Sequence, residues 1–185
     1  MKYHVQGGVK ILQLRRGWMS RFGTTRAITR AELDQLRLAL PWRDSLACAI
    51  MADTGLRVSD VLNLQRDKLA ETMTVKEIKT GKIRTVHLTT ATLREAQTYI
   101  KTHNSPYVIN CHRSTLWRSI VHAADAFGWK HISPHSFRKL FAVEFCAKHG
   151  LKATQQELQH KHLSTTLAYV TDAESISEII PGGKL

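Results

Sequence analysis

Apolar residues recur at helical spacing along most of this chain and alternate with polar residues in one shorter stretch. The first helical segment opens with Thr29 and Glu32, a pair whose side chains satisfy exposed backbone donors at a helix start. This signature predicts a helix from about Arg30 to Ala39, which Pro41 interrupts. Helical spacing then resumes until Gly55, a residue typical of the left-handed position that ends helices, and its apolar positions include Leu46, Ala49 and Ile50.

Arg57 follows Gly55 directly, and we predict that it lies in a turn before a short helix containing Val61, Leu62 and Leu64. The stretch from Met73 to Leu88 is rich in Thr, Val and Ile and is broken by Thr80-Gly81-Lys82. This pattern predicts a β-hairpin with a glycine-containing turn. Lys79 is expected where its first strand meets the turn.

Helical spacing returns in the second half of the chain, beginning with Leu93 to Ile100 and Trp117 to Ala124. Ser133-Pro134 then has the form of a helix entry, with serine as the cap and proline at the first helical position. Two further helices are predicted, Lys152 to Gln159 and one in which Tyr169 projects away from an apolar side formed by Leu163, Leu167 and Val170. The predicted fold class is α+β, mainly α-helical, with a small β-hairpin or sheet.

Charge narrows the class of partner. The net charge of +12 and pI near 10.0 favour binding to a polyanion such as nucleic acid. The first thirty residues contain seven Lys and Arg residues and no acidic residue. They form either a nucleic-acid-binding arm or a solvated tail. Lacking a long apolar segment, a signal pattern and an ordered set of cysteines, the chain is expected in the cytoplasm with reduced thiols.

Four ordered motifs carry a resemblance to a known family. They are the segment from Thr54 to Leu64 around Arg57, Lys79-Thr80-Gly81-Lys82 with Arg84, His135-x-x-Arg138, and His160 nine residues before Tyr169. A single motif of this kind is weak evidence, whereas the ordered set is specific. From about Thr29 to Asp172 the chain resembles the tyrosine recombinases, the phage-integrase family of site-specific DNA recombinases.

The resemblance implies catalytic roles for six residues. Arg57 and Arg138 would bind the scissile phosphate, because planar guanidinium groups clamp its oxygens. His135 would serve as acid/base for the nucleophile Tyr169, and Lys79 would protonate the departing 5′ oxygen. His160 matches the third-motif histidine. The tentative DNA contacts are Lys82, Arg84, Lys139 and Lys161.

The same resemblance implies reversible transesterification through a 3′-phosphotyrosyl intermediate, with no cofactor or metal. A metal site at His160 with His162, or at His131 with His135, is disfavoured because neither pair has a convincing third ligand. Double-stranded DNA is the expected partner, with self-association as a dimer or tetramer on DNA, no membrane, and accessory DNA-bending proteins. Localisation is expected to be cytoplasmic in a bacterial or phage context, associated with the nucleoid. Integration, excision and inversion remain open, as do two other functions: a topoisomerase IB-like relaxase, and a DNA-binding regulator that has lost the chemistry.

Three regions are predicted: an arm or linker at 1–28, a catalytic domain at 29–172, and a tail at 173–185 that packs either on its own core or on a neighbouring protomer. The short front region leaves two alternatives, a catalytic-domain-only recombinase similar to the fimbrial-switch invertases or a fragment of a longer integrase. Two positions depart from the family pattern. Gln159 replaces the usual glycine before the third-motif histidine, and Phe137 replaces the usual leucine of the second motif.

Overall fold

The computed structural model describes the backbone of residues 3–6 and 9–12 and the full structure of residues 25–170. Strand β1 (Tyr3–Gln6) pairs antiparallel with β2 (Val9–Leu12), with Tyr3 opposite Leu12. These two strands were not predicted. Each contains only four residues, and the basic composition of the surrounding segment favoured an arm or a solvated tail. The predicted tail at 173–185 lies outside the described residues.

Most of the catalytic region predicted at 29–172 is helical. A 3₁₀ helix (Arg66–Lys68) precedes strands β3 (Thr72–Lys76) and β4 (Ile83–His87). The α-helices of the described part are α1 (Arg30–Ala39), α2 (Trp42–Thr54), α3 (Val58–Leu62), α4 (Thr90–Thr102), α5 (Arg113–Ala126), α6 (Pro134–His149), α7 (Leu151–Glu157) and α8 (Leu163–Val170). The predicted fold class, mainly helical with a small sheet, is confirmed.

The boundaries of α1, α2 and α6 confirm the local sequence signals. The Thr29 hydroxyl accepts from the amide of Glu32 at 3.1 Å, and the Glu32 carboxylate accepts from the amide of Thr29 at 2.8 Å. Ser133 caps α6 with Pro134 in its first turn. Gly55 ends α2 with φ of 62°, in the left-handed region.

Helix α2 forms the centre of the core. Its residues from Ser45 to Ala52 are all buried, and it packs against α1, α3, α4, α5 and α6. Arg138 near the start of α6 reaches the carbonyl of Gly55 at the end of α2. The contact between α2 and α6 therefore brings the first and second arginine motifs together.

Strands β3 and β4 form the predicted hairpin, with Lys76 opposite Ile83. Alternate positions on both strands are buried, so one face of the hairpin lies on the core and the other faces solvent. Residues 77–82 connect the strands and place Lys79 in an exposed turn. The predicted β-hairpin is confirmed, although β3 ends at Lys76 and Lys79 lies within the turn and not at the end of the strand.

The predicted apolar side of α8 is wrong for its two leucines, whereas Val170 is buried and Tyr169 projects away from the leucines as predicted. Leu163 and Leu167 are 45% and 38% exposed, whereas Thr166 and Val170 are buried. Thr166 is buried because its hydroxyl bonds to the ring of His160 at 2.9 Å. Tyr169 consequently faces the protein on the same side as Thr166, and the leucines face outward.

Candidate active site

A cleft of about 620 Å³ opens where α3, the hairpin turn, α5 and the start of α6 meet. Half of the residues that line it are basic or aromatic, namely Arg57, Lys79, Arg113, Trp117, His135 and Arg138. Sequence reasoning identified four of these as site residues but not Arg113 and Trp117. Their signal was weak, since both lie on an ordinary amphipathic helix.

Arg138 is the buried anchor of the site. It is 1% exposed, and its guanidinium donates to the carbonyls of Gly55 at 2.5 Å and Leu158 at 3.0 Å. Burial lowers the pKa of Arg138 to about 10, with further lowering by the neighbouring charges of Arg57 and Arg84. The group stays cationic at neutral pH and is held rigidly by backbone acceptors.

Arg57 is the N-cap residue of α3, where its backbone is extended. Its guanidinium donates to the carboxylate of Glu77 at 2.6 Å, and its side chain keeps 22% of its surface exposed. Because both arginines border the cleft, an anion there would meet one buried and one partly open guanidinium.

Tyr169 and His135 meet across the cleft. The phenolic oxygen lies 2.6 Å from Nε2 of His135, and the two rings are nearly perpendicular. Burial raises the pKa of Tyr169, whereas Arg138 and Arg57 act to lower it. The predicted nucleophile and its predicted acid/base are therefore in hydrogen-bond contact within one chain.

His135 is neutral at physiological pH. One side of its ring is open, yet the surrounding protein atoms and then the charges of Arg138, Lys139 and Arg57 lower its pKa from 6.5 to about 4. A neutral imidazole whose Nε2 carries no proton can accept one from a phenol. The geometry and the charge state both fit a general base.

His160 contacts both Arg138 and Tyr169, and its ring centroid lies 5.1 Å from that of Tyr169. Its Nε2 is 3.4 Å from the guanidinium and its Nδ1 is 2.9 Å from the hydroxyl of Thr166. Burial and the charges of Arg138 and Arg57 lower its pKa to about 4. His162 is exposed, as expected from the choice of His160 over His162 in the third motif.

The turn before His160 has left-handed backbone. Gln159 has φ of 53°, a conformation that glycine adopts most easily. The side-chain amide nitrogen of Gln159, Nε2, donates to the backbone carbonyl of Ile83 at 2.9 Å and so joins this turn to the hairpin.

The four tentative DNA contacts divide into two pairs. Lys82 and Lys161 are exposed, whereas Arg84 and Lys139 are 4% and 8% exposed. Arg84 bonds to the Thr54 carbonyl and to Glu157, and Lys139 donates to the Thr25 carbonyl. The expectation of direct DNA contact is therefore corrected for Arg84 and Lys139, because their charged groups bond to the protein interior.

Glu77 is a member of the site that sequence reasoning missed. Its side chain is fully buried beside Arg57, Arg84 and Arg138. A signal was present, because Met73, Val75 and Glu77 occupy successive inward positions of one alternation. A charged residue at such a position predicts a buried ionic partner.

Within the described part of the chain, no three His, Cys, Asp or Glu side chains lie close enough together to hold a metal ion. None of the helices described above is long and apolar enough to cross a membrane.

Comparison with known proteins establishes the family. The model of the phage integrase family matches residues 27–175, and the chain therefore belongs to this family. It is 28% identical to the tyrosine recombinase XerA of Pyrococcus furiosus, over 86% of this chain and 62% of the relative. It is 33% identical to the tyrosine recombinase XerC of Pelobacter propionicus, over 69% of this chain and 47% of the relative.

Solved structures share the fold. A crystal structure of XerA recombinase superposes with a TM-score of 0.71 at 22% identity, covering 84% of this chain and 64% of that one. A lambda integrase dimer bound to a COC′ core site gives 0.66 at 20% identity, covering 83% of this chain and 62% of that one. The chain thus spans about half to two thirds of the proteins that it matches.

Proposed function

We propose that this chain is the catalytic unit of a site-specific DNA recombinase that cleaves and rejoins DNA through Tyr169. The observation that carries the proposal is the 2.6 Å contact between the Tyr169 hydroxyl and the neutral His135 ring, beside two arginines. A phenol is a poor nucleophile at neutral pH unless a base accepts its proton and cations stabilise its charge. The described residues supply both.

The proposed reaction is a transesterification. The Tyr169 oxygen bonds to phosphorus while its proton passes to Nε2 of His135, and the bond from phosphorus to the 5′ oxygen breaks. Lys79 supplies the proton that the departing oxygen needs. The product is a 3′-phosphotyrosyl bond and a free 5′ hydroxyl, so the reverse reaction rejoins the strand without an external energy source.

The arginines would stabilise the transition state. Arg57 and Arg138 can donate to the nonbridging oxygens, where negative charge builds up as the phosphorus becomes pentacoordinate. His160 then has a positioning role, because its ring contacts Arg138, Thr166 and the ring of Tyr169. This arrangement is preorganised, as Arg138 already has two backbone partners.

Duplex DNA is the proposed substrate, with dimers or tetramers assembling on paired sites. The net charge of +12, exposed Lys82 and Lys161, and relatives named as tyrosine recombinases support this. The complete catalytic set disfavours a regulator without chemistry, and the recombinase relatives disfavour a relaxase. Accessory DNA-bending proteins remain part of the proposal as partners on the recombination site.

The test begins with duplexes selected from a random pool by binding to Tyr169→Phe. Selected duplexes are nicked close to each candidate cleavage position, so that the short product diffuses away and the covalent complex accumulates. Wild type and Tyr107→Phe, a control at a partly exposed tyrosine, should give a covalent band on a denaturing gel. Tyr169→Phe should give none.

Two other outcomes identify the alternatives. Specific binding without any covalent band in wild type would favour the regulator and contradict the proposal. A covalent band together with relaxation of plasmids, but without strand exchange between two selected sites, would favour the relaxase.

A further inference from the structure

Three arginines converge on the carboxylate of Glu77. Oε2 of Glu77 accepts from Arg57 at 2.6 Å, while Oε1 lies 3.5 Å from Arg84 and 3.8 Å from Arg138. Within the described residues, Oε1 accepts no hydrogen bond of normal geometry. Oε2 thus forms a hydrogen bond with Arg57, whereas Oε1 interacts with the two buried arginines only through electrostatic attraction.

Glu77 is ionised in this environment. Burial would raise its pKa, but hydrogen bonds from Arg57 and Thr80 and the charges of Arg57 and Arg138 together lower it below the usual value for a glutamate. A buried carboxylate without such partners would instead take up a proton. The negative charge of Glu77 therefore lies buried beside the arginines of the site.

The same carboxylate oxygen also holds the hairpin turn. The Thr80 hydroxyl donates to Oε2 at 2.9 Å, and Thr80 is the neighbour of Lys79 in the chain. The backbone supports this contact, because the amide of Gly81 donates to the carbonyl of Glu77 at 2.8 Å. On the opposite side, the carboxylate of Asp60 accepts from the amide of Ile78 at 2.9 Å.

We propose that Glu77 is a positioning residue that couples Arg57 to the turn bearing Lys79. A single oxygen bonded to both Arg57 and Thr80 fixes the phosphate-binding arginine relative to the segment that carries the proton donor. The inference rests on the proposed function, since it assigns Lys79 the protonation of the 5′ oxygen. A purely structural Glu77 would neutralise the arginines but would have no influence on that step.

Thr80→Val is the decisive variant. It removes the hydroxyl and keeps the carboxylate with its arginine partners, so the buried charge balance that supports folding remains. Thr85→Val is the matched control, because Thr85 is an exposed strand residue of the same hairpin. Glu77→Gln tests the carboxylate itself, and the double variant Glu77→Gln with Thr80→Val tests whether the two act together.

Hydrogen exchange measured by mass spectrometry gives a readout that needs no DNA cleavage. We expect faster exchange in peptides covering residues 77–82 for Thr80→Val and Glu77→Gln, and wild-type exchange for Thr85→Val. The double variant should add little to Thr80→Val, because that change already removes the bond to Glu77 together with the bond that the Thr80 hydroxyl accepts from the Lys82 amide at 3.3 Å. Unchanged exchange in this turn for Thr80→Val would overturn the coupling, whether or not the wild type cleaves DNA.

Single-turnover cleavage then tests the link to Lys79. The substrates are a nicked selected duplex and the same duplex with sulfur replacing the bridging 5′ oxygen, which leaves as a thiolate and needs no proton. General acid catalysis contributes about 10²–10⁴-fold, so Thr80→Val should lose on the order of 10-fold on the oxygen substrate. It should cleave the sulfur substrate at the wild-type rate, whereas Thr85→Val matches wild type on both.

The outcomes separate the inference from the proposed function. Equal losses on both substrates, or no loss on either, would overturn the coupling to Lys79 while leaving cleavage by Tyr169 intact. Failure of wild type to cleave either substrate would count against the proposed function. In that case the exchange measurement still decides whether Glu77 holds the turn.

Discussion

Gly55→Ala tests how closely α2 and α6 approach at the site. Gly55 has φ of 62°, and an added Cβ would lie 2.5 Å from Cδ1 of Phe141 on α6. The left-handed conformation costs a non-glycine residue about 1–2 kcal/mol, from which the lower entropy of the unfolded chain subtracts about 0.4–1 kcal/mol. Inserting a methyl group into packed structure costs a further amount of about 1–3 kcal/mol. We therefore expect Gly55→Ala to destabilise the fold by about 2–4 kcal/mol.

Gly128→Ala separates the backbone cost from the steric cost. Gly128 has φ of 74° and nothing within 4 Å of an added Cβ, so its substitution should cost only about 1 kcal/mol. Urea unfolding measures both variants, with the comparison valid when the slope with denaturant is unchanged. Adding Phe141→Leu to Gly55→Ala should recover part of the steric loss, because leucine lacks the ring atom that the new Cβ would meet.

If Gly55→Ala proved as stable as Gly128→Ala, the predicted steric cost of the contact with Phe141 would be refuted. That result would mean that Phe141 moves aside without loss and that the approach of the two helices is loose. Arg138 depends on that approach, since it donates to the Gly55 carbonyl across it.

Three further predictions concern the buried charges and the turn before His160. Arg84→Ala should lower the free energy of unfolding by about 3 kcal/mol, because it removes the buried guanidinium that lies between Glu77 and Glu157 and leaves Oε1 of Glu77 with Arg138 alone at 3.8 Å. The exposed Lys82 is the contrast: Lys82→Ala should keep stability and reduce the salt dependence of DNA binding by about one phosphate contact. Urea unfolding and binding titrations in salt check the two expectations. The free energy of unfolding should fall as the pH drops from 6.5 towards 4, because His135 and His160 have pKa values of about 4 in the folded protein and take up protons at higher pH in the unfolded chain. The double variant His135→Asn with His160→Asn should lose part of this pH dependence. Equal unfolding curves of the wild type at pH 7 and pH 5 would contradict the prediction. Gln159→Gly should be more stable than Gln159→Ala by about 1 kcal/mol, because both lose the bond to Ile83 and only glycine relieves the left-handed backbone; equal stability would contradict the strain.

Helix boundaries were predictable because their causes are local. The Thr29 and Ser133 caps and the left-handed Gly55 each depend on backbone groups within a few residues, so sequence alone indicates them. The catalytic set was predictable for a different reason. Its residues belong to ordered family motifs, and the fold brings Arg57, His135, Arg138, His160 and Tyr169 into one region.

The orientation of α8 was not predictable from its own residues. Leu163, Leu167 and Val170 form a regular apolar stripe, yet two of the three are more than a third exposed. Which face of so short a helix is buried depends on the groups it meets, and here His160 offers a hydrogen-bond partner to Thr166. Tertiary hydrogen bonding outweighed hydrophobic periodicity in this element.

The pairing of Glu77 with the arginines required the fold. Alternation along the hairpin placed Glu77 and Arg84 on the inward face, but their partners come from the N-cap of α3, from α6 and from α7. Sequence therefore indicates that these charges are buried and leaves the partners open. Arg84 was predicted to contact DNA because of its positive charge, and that prediction did not consider its inward position on the strand.

The net charge of the ionic cluster around Glu77 and Arg84 bears on the phosphodiester of the proposed reaction. Arg57, Arg84 and Arg138 contribute three positive charges, and Glu77 and Glu157 return two negative ones, leaving one positive charge. With His135 and His160 neutral at physiological pH, a phosphodiester of charge minus one completes the balance. In the proposed reaction, Lys79 would balance the second negative charge of the pentacoordinate phosphorus, and its turn is joined through Thr80 to the carboxylate that also bonds to Arg57. The neutral histidines would then serve in proton transfer and positioning, and the lysine would stabilise the charge that appears only in the transition state.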